Sequence, residues 1–182
     1  MALDVLMASG FGDRVLGFYD DAHAALSDEV RGIPILGDVA MLKSMLSVEP
    51  VHVVVAITDN GARLQIANSL RGLGARFLTT LHPEAYVSEA AVVGDGSVVA
   101  AGAIVHPDAS VGSHCFLGPR SVVDRDAEVG AGTWISAGAI VGPGARIGAR
   151  VVLGQNSSVE RKAAVDGDVE IGALRHIARE GG

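Results

Sequence analysis

The sequence has few of the features that mark secreted or membrane proteins. It contains one cysteine in 182 residues, which excludes an internal disulfide and fits a reducing compartment such as the cytosol. No apolar run reaches the roughly 18 residues of a transmembrane helix, because glycines and charges interrupt every run. The first residues lack a basic segment and carry Asp4 within their apolar run, unlike a secretory signal. We therefore expect a soluble, cytoplasmic protein.

Positive charge is also scarce. The chain has 14 Lys and Arg against 21 Asp and Glu, which gives a net charge of −7 at pH 7, and no basic cluster stands out. Proteins that bind nucleic acid or anionic membranes need such clusters to meet phosphates. We expect neither kind of partner.

What the sequence does have is an aliphatic residue at every sixth position. The series runs without interruption from Val87 to Ile171, which makes fifteen hexads. A small residue stands four places after most of these aliphatics, and glycine often follows them directly. A fixed short period is the signature of a solenoid, and the hexad period indicates a parallel β-helix. Three hexads close one triangular coil, so we predict five coils.

The chain before the hexads shows a different pattern, in which helical and strand-like segments alternate. We predict helices over residues 2–9, 38–46 and 60–73, with Asp38 as an N-cap and Gly74 as a C-cap. We predict strands over residues 14–21, 33–36, 51–57 and 77–81, and a loop over residues 22–28. Pro34 would confine its strand to a sheet edge, because proline cannot donate a hydrogen bond. The alternation indicates a small α/β domain with a parallel sheet.

The predicted organisation has three parts. Residues 1–82 form an incomplete Rossmann-like domain, residues 83–173 a left-handed parallel β-helix, and residues 174–182 a short helix or tail. A nucleotide-binding α/β unit normally opens with a strand and a glycine-rich turn that holds phosphate at a helix N-terminus. This sequence instead starts inside the first helix. Residues 10–12 (Gly-Phe-Gly) follow no strand, so we interpret them as a helix-ending turn.

Residues just before each inward aliphatic should point outward, in columns that repeat at every third hexad. Two of the three columns are apolar and the third is mostly polar. They are Val98, Phe116, Trp134 and Val152; Ile104, Val122, Ile140 and Ser158; and Val92, Ser110, Glu128, Arg146 and Ala164. Exposed apolar stripes imply a partner surface, and two adjacent stripes suit a closed ring of three identical subunits. We expect a homotrimer with Trp134 as an interface anchor.

Several motifs resemble one family. They are Gly17-Phe18-Tyr19-Asp20-Asp21, Val54-Val55-Ala56-Ile57 with Asp59-Asn60 and Arg63, Gly74-Ala75-Arg76-Phe77, and His82-Pro83 before the hexads. Together they are similar to the bacterial sugar acetyltransferases of the sialic acid O-acetyltransferase type, which include nucleotide-sugar N-acetyltransferases. The resemblance implies an N-terminal domain that holds the nucleotide and a β-helix trimer that binds acetyl-CoA between subunits.

The resemblance also implies site residues. Asp20 and Asp21 match the acidic pair that contacts uridine or ribose in the family, although such residues also end ordinary strands. Asn60 lies in a matching motif, and we expect it to bind substrate. Asp126 matches the acid that orients the family's catalytic histidine. The candidates for contact with acetyl-CoA are Gly142, Gly144 and Trp134.

Two positions depart from the family pattern. Arg125 stands where the family has its histidine general base, and a guanidinium remains protonated and has no lone pair to accept a proton. Pro143, one coil later, stands where family members commonly offer a glycine N–H to the acetyl carbonyl, and proline has none. His106 lies one coil before Asp124 in the same column and is our candidate for a surrogate base.

Two hypotheses therefore stay open. The chain is an acetyl-CoA-dependent sugar acetyltransferase that modifies an amine or a hydroxyl, or it is a non-catalytic trimeric relative that acts as a binding or assembly subunit. A γ-type carbonic anhydrase would use the same fold but needs three zinc histidines, which His106 and His114 do not supply. We expect no metal. Cys115 falls at a small corner position and is expected to be buried and structural.

Overall fold

A computed structural model describes residues 1–48 and 51–179. The N-terminal part is a small α/β unit with short 3₁₀ turns at Gly12–Arg14 and His23–Ala25. Its helices are α1 (Ala2–Ala8), α2 (Val39–Leu46) and α3 (Asn60–Arg71). Its strands are β1 (Phe18–Tyr19), β2 (Glu29–Val30), β3 (Ile33–Gly37), β4 (His52–Val53) and β5 (Arg76–Phe77). None of the helices in the described ranges is long and apolar enough to span a bilayer.

The helices begin where the sequence predicts. The Asp38 carboxylate accepts the backbone N–H of Met41 at 2.7 Å, which confirms it as the N-cap of α2. Asp59 caps α3 in the same way, through the N–H of Ala62 at 2.6 Å. Helix α3 ends at Arg71, and its C-cap residue is Gly72, two positions before the predicted Gly74. Gly74 nevertheless closes the helix as a C-terminal glycine does. It has a left-handed φ of +85°, its N–H donates to Arg71 O (3.0 Å), and the next N–H, of Ala75, donates to Leu70 O (3.2 Å).

The predicted single sheet of the N-terminal unit is divided in two. Strand β3 pairs in parallel with β1 and antiparallel with β2, whereas β4 pairs only with β5. Pro34 therefore lies in the central strand of three, and its predicted edge position is wrong. The central position is tolerated because β2 is very short, and the N–H that bonds towards it belongs to Ile35, which donates to Asp28 O.

Three predicted strands are shorter in the structure. The run of residues 14–21 pairs only at Phe18–Tyr19, and the run of residues 51–57 pairs only at His52–Val53, where β5 offers a partner. The predicted strand over residues 77–81 is two strands, because the chain leaves β5 and enters a different sheet at Thr80. Strand length here depends on the partner that is available, not on local β propensity.

From Thr80 onward each hexad contributes one two-residue strand, and strands three hexads apart pair in parallel without a register shift. These strands, β6–β22, form three faces. Face 1 contains Thr80–Leu81, Val98–Val99, Phe116–Leu117, Trp134–Ile135, Val152–Leu153 and Glu170–Ile171. Face 2 contains Tyr86–Val87, Ile104–Val105, Val122–Val123, Ile140–Val141, Ser158–Val159 and His176–Ile177. Face 3 contains Val92–Val93, Ser110–Val111, Glu128–Val129, Arg146–Ile147 and Ala164–Val165.

The predicted left-handed parallel β-helix of hexapeptide repeats is confirmed, and the array is longer than predicted. It gains Leu81 at its start and Ile177 at its end. The predicted helix or tail from residue 174 is wrong as far as residue 179, because His176–Ile177 pairs with Ser158–Val159. Residues 180–182 of that predicted segment lie outside the described residues.

The inward aliphatics fill the prism. Leu117, Ile135 and Leu153 have no exposed surface, and Cys115 is 1% exposed. Burial raises the pKa of the Cys115 thiol to about 11, so it is protonated and unreactive near neutral pH. The coils also stack closely: a Cβ on Gly148 would lie 2.3 Å from the backbone N of Gly167 in the next coil. The inward aliphatics can therefore pack on one another only while the coils keep this close spacing.

A matched pair of leucines tests this core. We expect Leu117→Ala to lower the free energy of unfolding by about 2–5 kcal/mol, because it leaves a cavity at a fully buried site. Leu174→Ala, at a position 78% exposed on the same β-helix, should change it little. Urea unfolding measures both. Equal effects of the two substitutions would contradict the predicted prism core.

Candidate active site

The turns between faces 2 and 3 stack into one edge of the prism, which we call corner 2–3. It consists of residues 106–108, 124–126, 142–144 and 160–162. In successive turns the middle carbonyl accepts the N–H of the third residue one coil later: Pro107 from Asp126 (3.4 Å), Arg125 from Gly144 (2.9 Å) and Pro143 from Lys162 (3.0 Å). The structure thereby places His106, Arg125, Asp126, Gly142 and Gly144 in adjacent turns of one corner.

Arg125 is exposed in the middle of this corner. Its backbone N–H donates to the Asp124 carboxylate at 2.7 Å, which fixes the turn. Its guanidinium makes no ion pair or hydrogen bond with any other residue in the described ranges. Asp126 is also exposed and has a left-handed φ of +58°, whereas His106 is half-buried. The corner therefore presents an unpaired cation next to carboxylates.

The turn at residues 142–144 has no backbone donor to spare. The N–H of Gly142 donates to Val159 O and the N–H of Gly144 donates to Arg125 O, both at 2.9 Å. Pro143 between them has no N–H. A carbonyl oxygen bound at this turn would therefore need its hydrogen bond from a side chain.

The three candidate substrate residues lie in the N-terminal unit; the two aspartates have partners within that unit, whereas Asn60 bonds to the β-helix. Asp20 follows β1 and accepts the N–H of Ala22 at 2.8 Å; Asp21 accepts the N–H of Val39 at the start of α2, at 3.0 Å. Both are exposed. Asn60 is 7% exposed, and its amide donates to the carbonyls of Arg150 and Val151 at 3.1 Å. The structure does not bring Asn60 into hydrogen-bonding contact with the aspartates, so a shared substrate role stays a prediction.

Arg63 of α3 joins the N-terminal unit to the β-helix. It is 3% exposed, and burial lowers the pKa of its guanidinium. On its own side it donates to Ile57 O (2.7 Å) and Asn60 Oδ1 (2.6 Å). Across the junction it donates to His114 O (2.9 Å) and Gly132 O (2.6 Å). A buried cation is tolerated here because carbonyl and amide oxygens surround it.

The aromatic column of face 1 lies beneath this junction. Trp134 stacks on Phe116 with ring centroids 4.0 Å apart, and the Arg63 guanidinium lies 5.7 Å from the Trp134 ring. Phe116 and Val98 are buried with Val5 of α1. The expectation that this column is exposed is wrong, because the chain's own N-terminal unit covers it. Trp134 thus packs within one chain, and its contact with a cofactor stays a prediction.

Two shallow cavities open on the β-helix. One, of about 350 Å³, lies between residues 58–61 at the start of α3 and residues 150, 152 and 168–170 of the last coils. The Arg150 guanidinium and the Asp168 carboxylate meet at its wall, at 2.5 Å. The other, of about 370 Å³, lies on the turns between faces 1 and 2, at residues 119–120, 137–138 and 155–156. The first cavity is thus lined on one side by the N-terminal unit and on the other by the β-helix.

Sequence analysis did not identify the two groups that organise the junction. Arg63 was noted only as part of a motif, and its acceptors are backbone carbonyls that no sequence pattern marks. His114 was considered only as a possible zinc ligand and given no other role, yet it is 2% exposed. The pairing of Arg150 with Asp168 was detectable, since the two charges are three hexads apart and so stand in adjacent coils.

Comparison with known families matches both units. The family model for the PglD N-terminal domain matches residues 1–70. The family model for bacterial transferase hexapeptide repeats (six repeats) matches residues 90–125 and again residues 126–161. No curated protein matches the sequence.

Solved structures match along nearly the whole chain. The acetyltransferase domain of PglB from Neisseria gonorrhoeae FA1090 is 29% identical with a TM-score of 0.88, over 97% of this chain and 84% of that chain. The same domain in complex with acetyl coenzyme A is 28% identical with a TM-score of 0.87, over 97% and 86%. PerB from Caulobacter crescentus, in complex with CoA and GDP-perosamine, shares the fold at 23% identity and a TM-score of 0.65, over 98% and 85%.

The junction can be tested at Arg63. We expect Arg63→Ala to lower the free energy of unfolding by about 3–5 kcal/mol, because it leaves buried carbonyls on both units without a donor. Arg161→Ala, on an exposed turn, is the control and should change it by less than about 0.5 kcal/mol. Urea unfolding followed by the single tryptophan measures both. A wild-type midpoint for Arg63→Ala would contradict the role of Arg63.

Proposed function

We propose that this chain is an acyltransferase of the hexapeptide-repeat type with a PglD-type N-terminal domain, and that it transfers the acetyl group of acetyl-CoA to a sugar or nucleotide sugar. The observation that carries the proposal is the match to an acetyltransferase domain solved with acetyl coenzyme A, because it extends over both units. A single cysteine suits the cytoplasm, where we place the reaction.

Corner 2–3 is the proposed site of transfer. Arg125 has no lone pair, so it does not act as a base. Instead, its unpaired guanidinium supplies the positive charge that the oxyanion of a tetrahedral intermediate needs. This charge replaces the hydrogen bond that the turn at residues 142–144 lacks, because its two N–H groups bond within the chain. Asp126 and Asp124 give the corner negative charge that attracts a protonated amine.

An amine acceptor suits this corner better than a hydroxyl. A general base typically contributes roughly 10²–10⁴-fold, and this corner has a histidine only at His106, in the preceding turn. An amine with a pKa near that of an α-amino group, about 7.7–8.0, is partly neutral at neutral pH and attacks the thioester carbonyl with its own lone pair. The C–S bond then breaks, CoA leaves as a thiolate, and the nitrogen releases its extra proton to solvent, which leaves the amide. A hydroxyl must lose its proton as it attacks. We therefore propose N-acetylation, with the Asp20, Asp21 and Asn60 region holding the rest of the substrate.

Acceptor choice tests the proposed function. We expect CoA release with acetyl-CoA and a nucleotide-linked amino sugar, and none with the matching sugar that carries a hydroxyl in place of the amine. The rate should rise with pH as the substrate amine becomes neutral.

Arg125→Gln should lower kcat by about 10²-fold or more, because it removes the charge at the oxyanion. His106→Ala should lower the rate only if His106 accepts the proton.

Arg125→His introduces a base and should allow slow transfer to the hydroxyl acceptor. Two results would contradict the proposal. Equal activity of Arg125→Gln and wild type would show that Arg125 takes no part in the mechanism. No CoA release from wild type with any amino sugar, and none from the double variant Arg125→His, Pro143→Gly, would leave the non-catalytic binding or assembly role.

Face 2 is the proposed subunit interface of a homotrimer. Its outward column remains apolar and uncovered in the single chain, with Tyr86 56% exposed and Ile140 44% exposed. Ile104 and Val122 complete the stripe between them. Three copies can bury such stripes around a three-fold axis. Helix α1 packs on face 1 instead, so it does not account for the apolar residues of face 2.

A charge placed on face 2 tests the trimer. We expect light scattering to give wild type a mass three times that of the chain. Ile140→Glu should be mostly monomeric, because the trimer would bury a carboxylate in an apolar interface. Ser110→Glu makes the same change on the polar outward column of face 3 and should stay trimeric. A monomeric wild type, or a trimeric Ile140→Glu, would contradict the proposed interface.

A further inference from the structure

His114 lies where the N-terminal unit meets the turns between faces 3 and 1, which we call corner 3–1. Its ring is 2% exposed and packs edge-on against Phe77 of β5, with centroids 4.6 Å apart. It also lies over Gly96 of the preceding coil, where a Cβ would come within 2.4 Å of Nδ1. The imidazole is therefore enclosed by β5 on one side and by the β-helix on the other.

Burial and the contact with Arg71 favour a neutral ring. Nε2 lies 3.4 Å from a guanidinium nitrogen of Arg71, which can only donate, so Nε2 is the acceptor and Nδ1 carries the proton. Buried Nδ1 finds no acceptor among the described residues. Arg63 adds a second cation from α3, bonded to the His114 carbonyl. The carboxylate of Asp95, in the preceding coil, is held by Arg71 at 2.8 Å.

Protonation would reverse this contact. A proton on Nε2 would point at the Arg71 donor and turn a weak hydrogen bond into a repulsion between two cations. The ring could not escape that repulsion in place, because Phe77 and Gly96 hold it on both sides. The charged imidazole can reach water only if α3 and β5 move away from corner 3–1.

We propose that His114 is an acid-sensitive latch: the neutral ring keeps the N-terminal unit docked on the β-helix, and its protonation releases that unit. The first cavity described above has one wall on each unit, so release opens it. The buried thiol of Cys115, next along the chain, is protonated throughout the range concerned and does not contribute.

The direction of the pH dependence follows from the burial of the ring. Burial lowers the pKa of His114 from its ordinary value near 6.5; Asp95 raises it, and Arg71 and Arg63 lower it further. The unfolded or undocked chain then binds the proton more tightly than the docked chain does. Docking is fully stable above about pH 6.5 and weakens as the pH falls below it, towards the pKa of the docked state.

The single tryptophan reports the latch directly, because Trp134 lies in the junction beneath Arg63. We expect the wild-type emission to move to longer wavelength, reversibly, as the pH falls from about 7.5 to about 5. His114→Asn keeps a residue that accepts the left-handed φ of +55° but does not titrate, so its emission should stay constant over this range. His52→Asn, which removes an exposed histidine from the same N-terminal unit, should titrate like wild type.

A second variant keeps the proposal testable if His114→Asn does not fold. Arg71→Gln removes the cation that repels the protonated ring, at a half-exposed position, so the emission change between about pH 7.5 and about pH 5 should be smaller than in wild type. A wild-type emission that stays constant to about pH 5, or an identical titration in wild type and His114→Asn, would overturn the latch. So would a pH-dependent emission change in Arg71→Gln as large as that of wild type. None of these readouts involves acetyl transfer, so they are independent of the proposed enzyme activity.

Discussion

The structure depends on hydrogen bonds between successive coils of the prism. Each two-residue strand gains its partners only from the coil before and the coil after, so no strand is stable by itself. Side-chain packing and backbone pairing therefore occur together: the inward aliphatics bury their surface only when the ladder holds the coils in register. Small residues at the corners allow this close stacking: at Gly148 an added Cβ would collide with the backbone of Gly167 in the next coil.

The same stacking creates the surface on which the N-terminal unit sits. Corner 3–1 presents the carbonyls of His114, Gly132, Arg150 and Val151 in successive coils, and Arg63 and Asn60 of one helix satisfy them. Within the described residues the α/β unit has short strands in two small sheets, and these hydrogen bonds hold its third helix on the β-helix. The middle of corner 2–3, which carries the proposed chemistry, stays open at the exposed Arg125 and Asp126.

The repeating part of the fold could be predicted from the sequence, and the junction could not. Hexad spacing alone identified the inward residues from Val87 to Ile171, because burial in a solenoid repeats with the sequence. Leu81 fits the same spacing but was assigned to a longer strand of the N-terminal unit, and Ile177 was assigned to a tail. The division of the N-terminal sheet depends on which strands find partners, which is a tertiary matter.

The same distinction holds for the site residues: positions set by the repeat could be predicted, and tertiary contacts could not. The clustering of Arg125, Asp126 and His106 in one corner follows from the three-hexad period. The burial of Val98 and Phe116 does not, since an apolar outward column looks the same whether another subunit or the chain's own helix covers it. The hydrogen bonds of the Gly142 and Gly144 N–H groups could not be predicted from the sequence either, because backbone bonds to the neighbouring coils do not restrict residue type.

The fixed register limits how this chain can change in length during evolution. Adding or removing one whole coil of three hexads would leave every later residue on its original face. Adding or removing a single hexad would keep the inward aliphatics inward but would rotate all later residues by one face. The aromatic pair at Phe116 and Trp134 could then lose its cover while a polar column took its place under α1. Two units joined along one corner can therefore gain or lose length only in whole coils, or beyond the last shared contact.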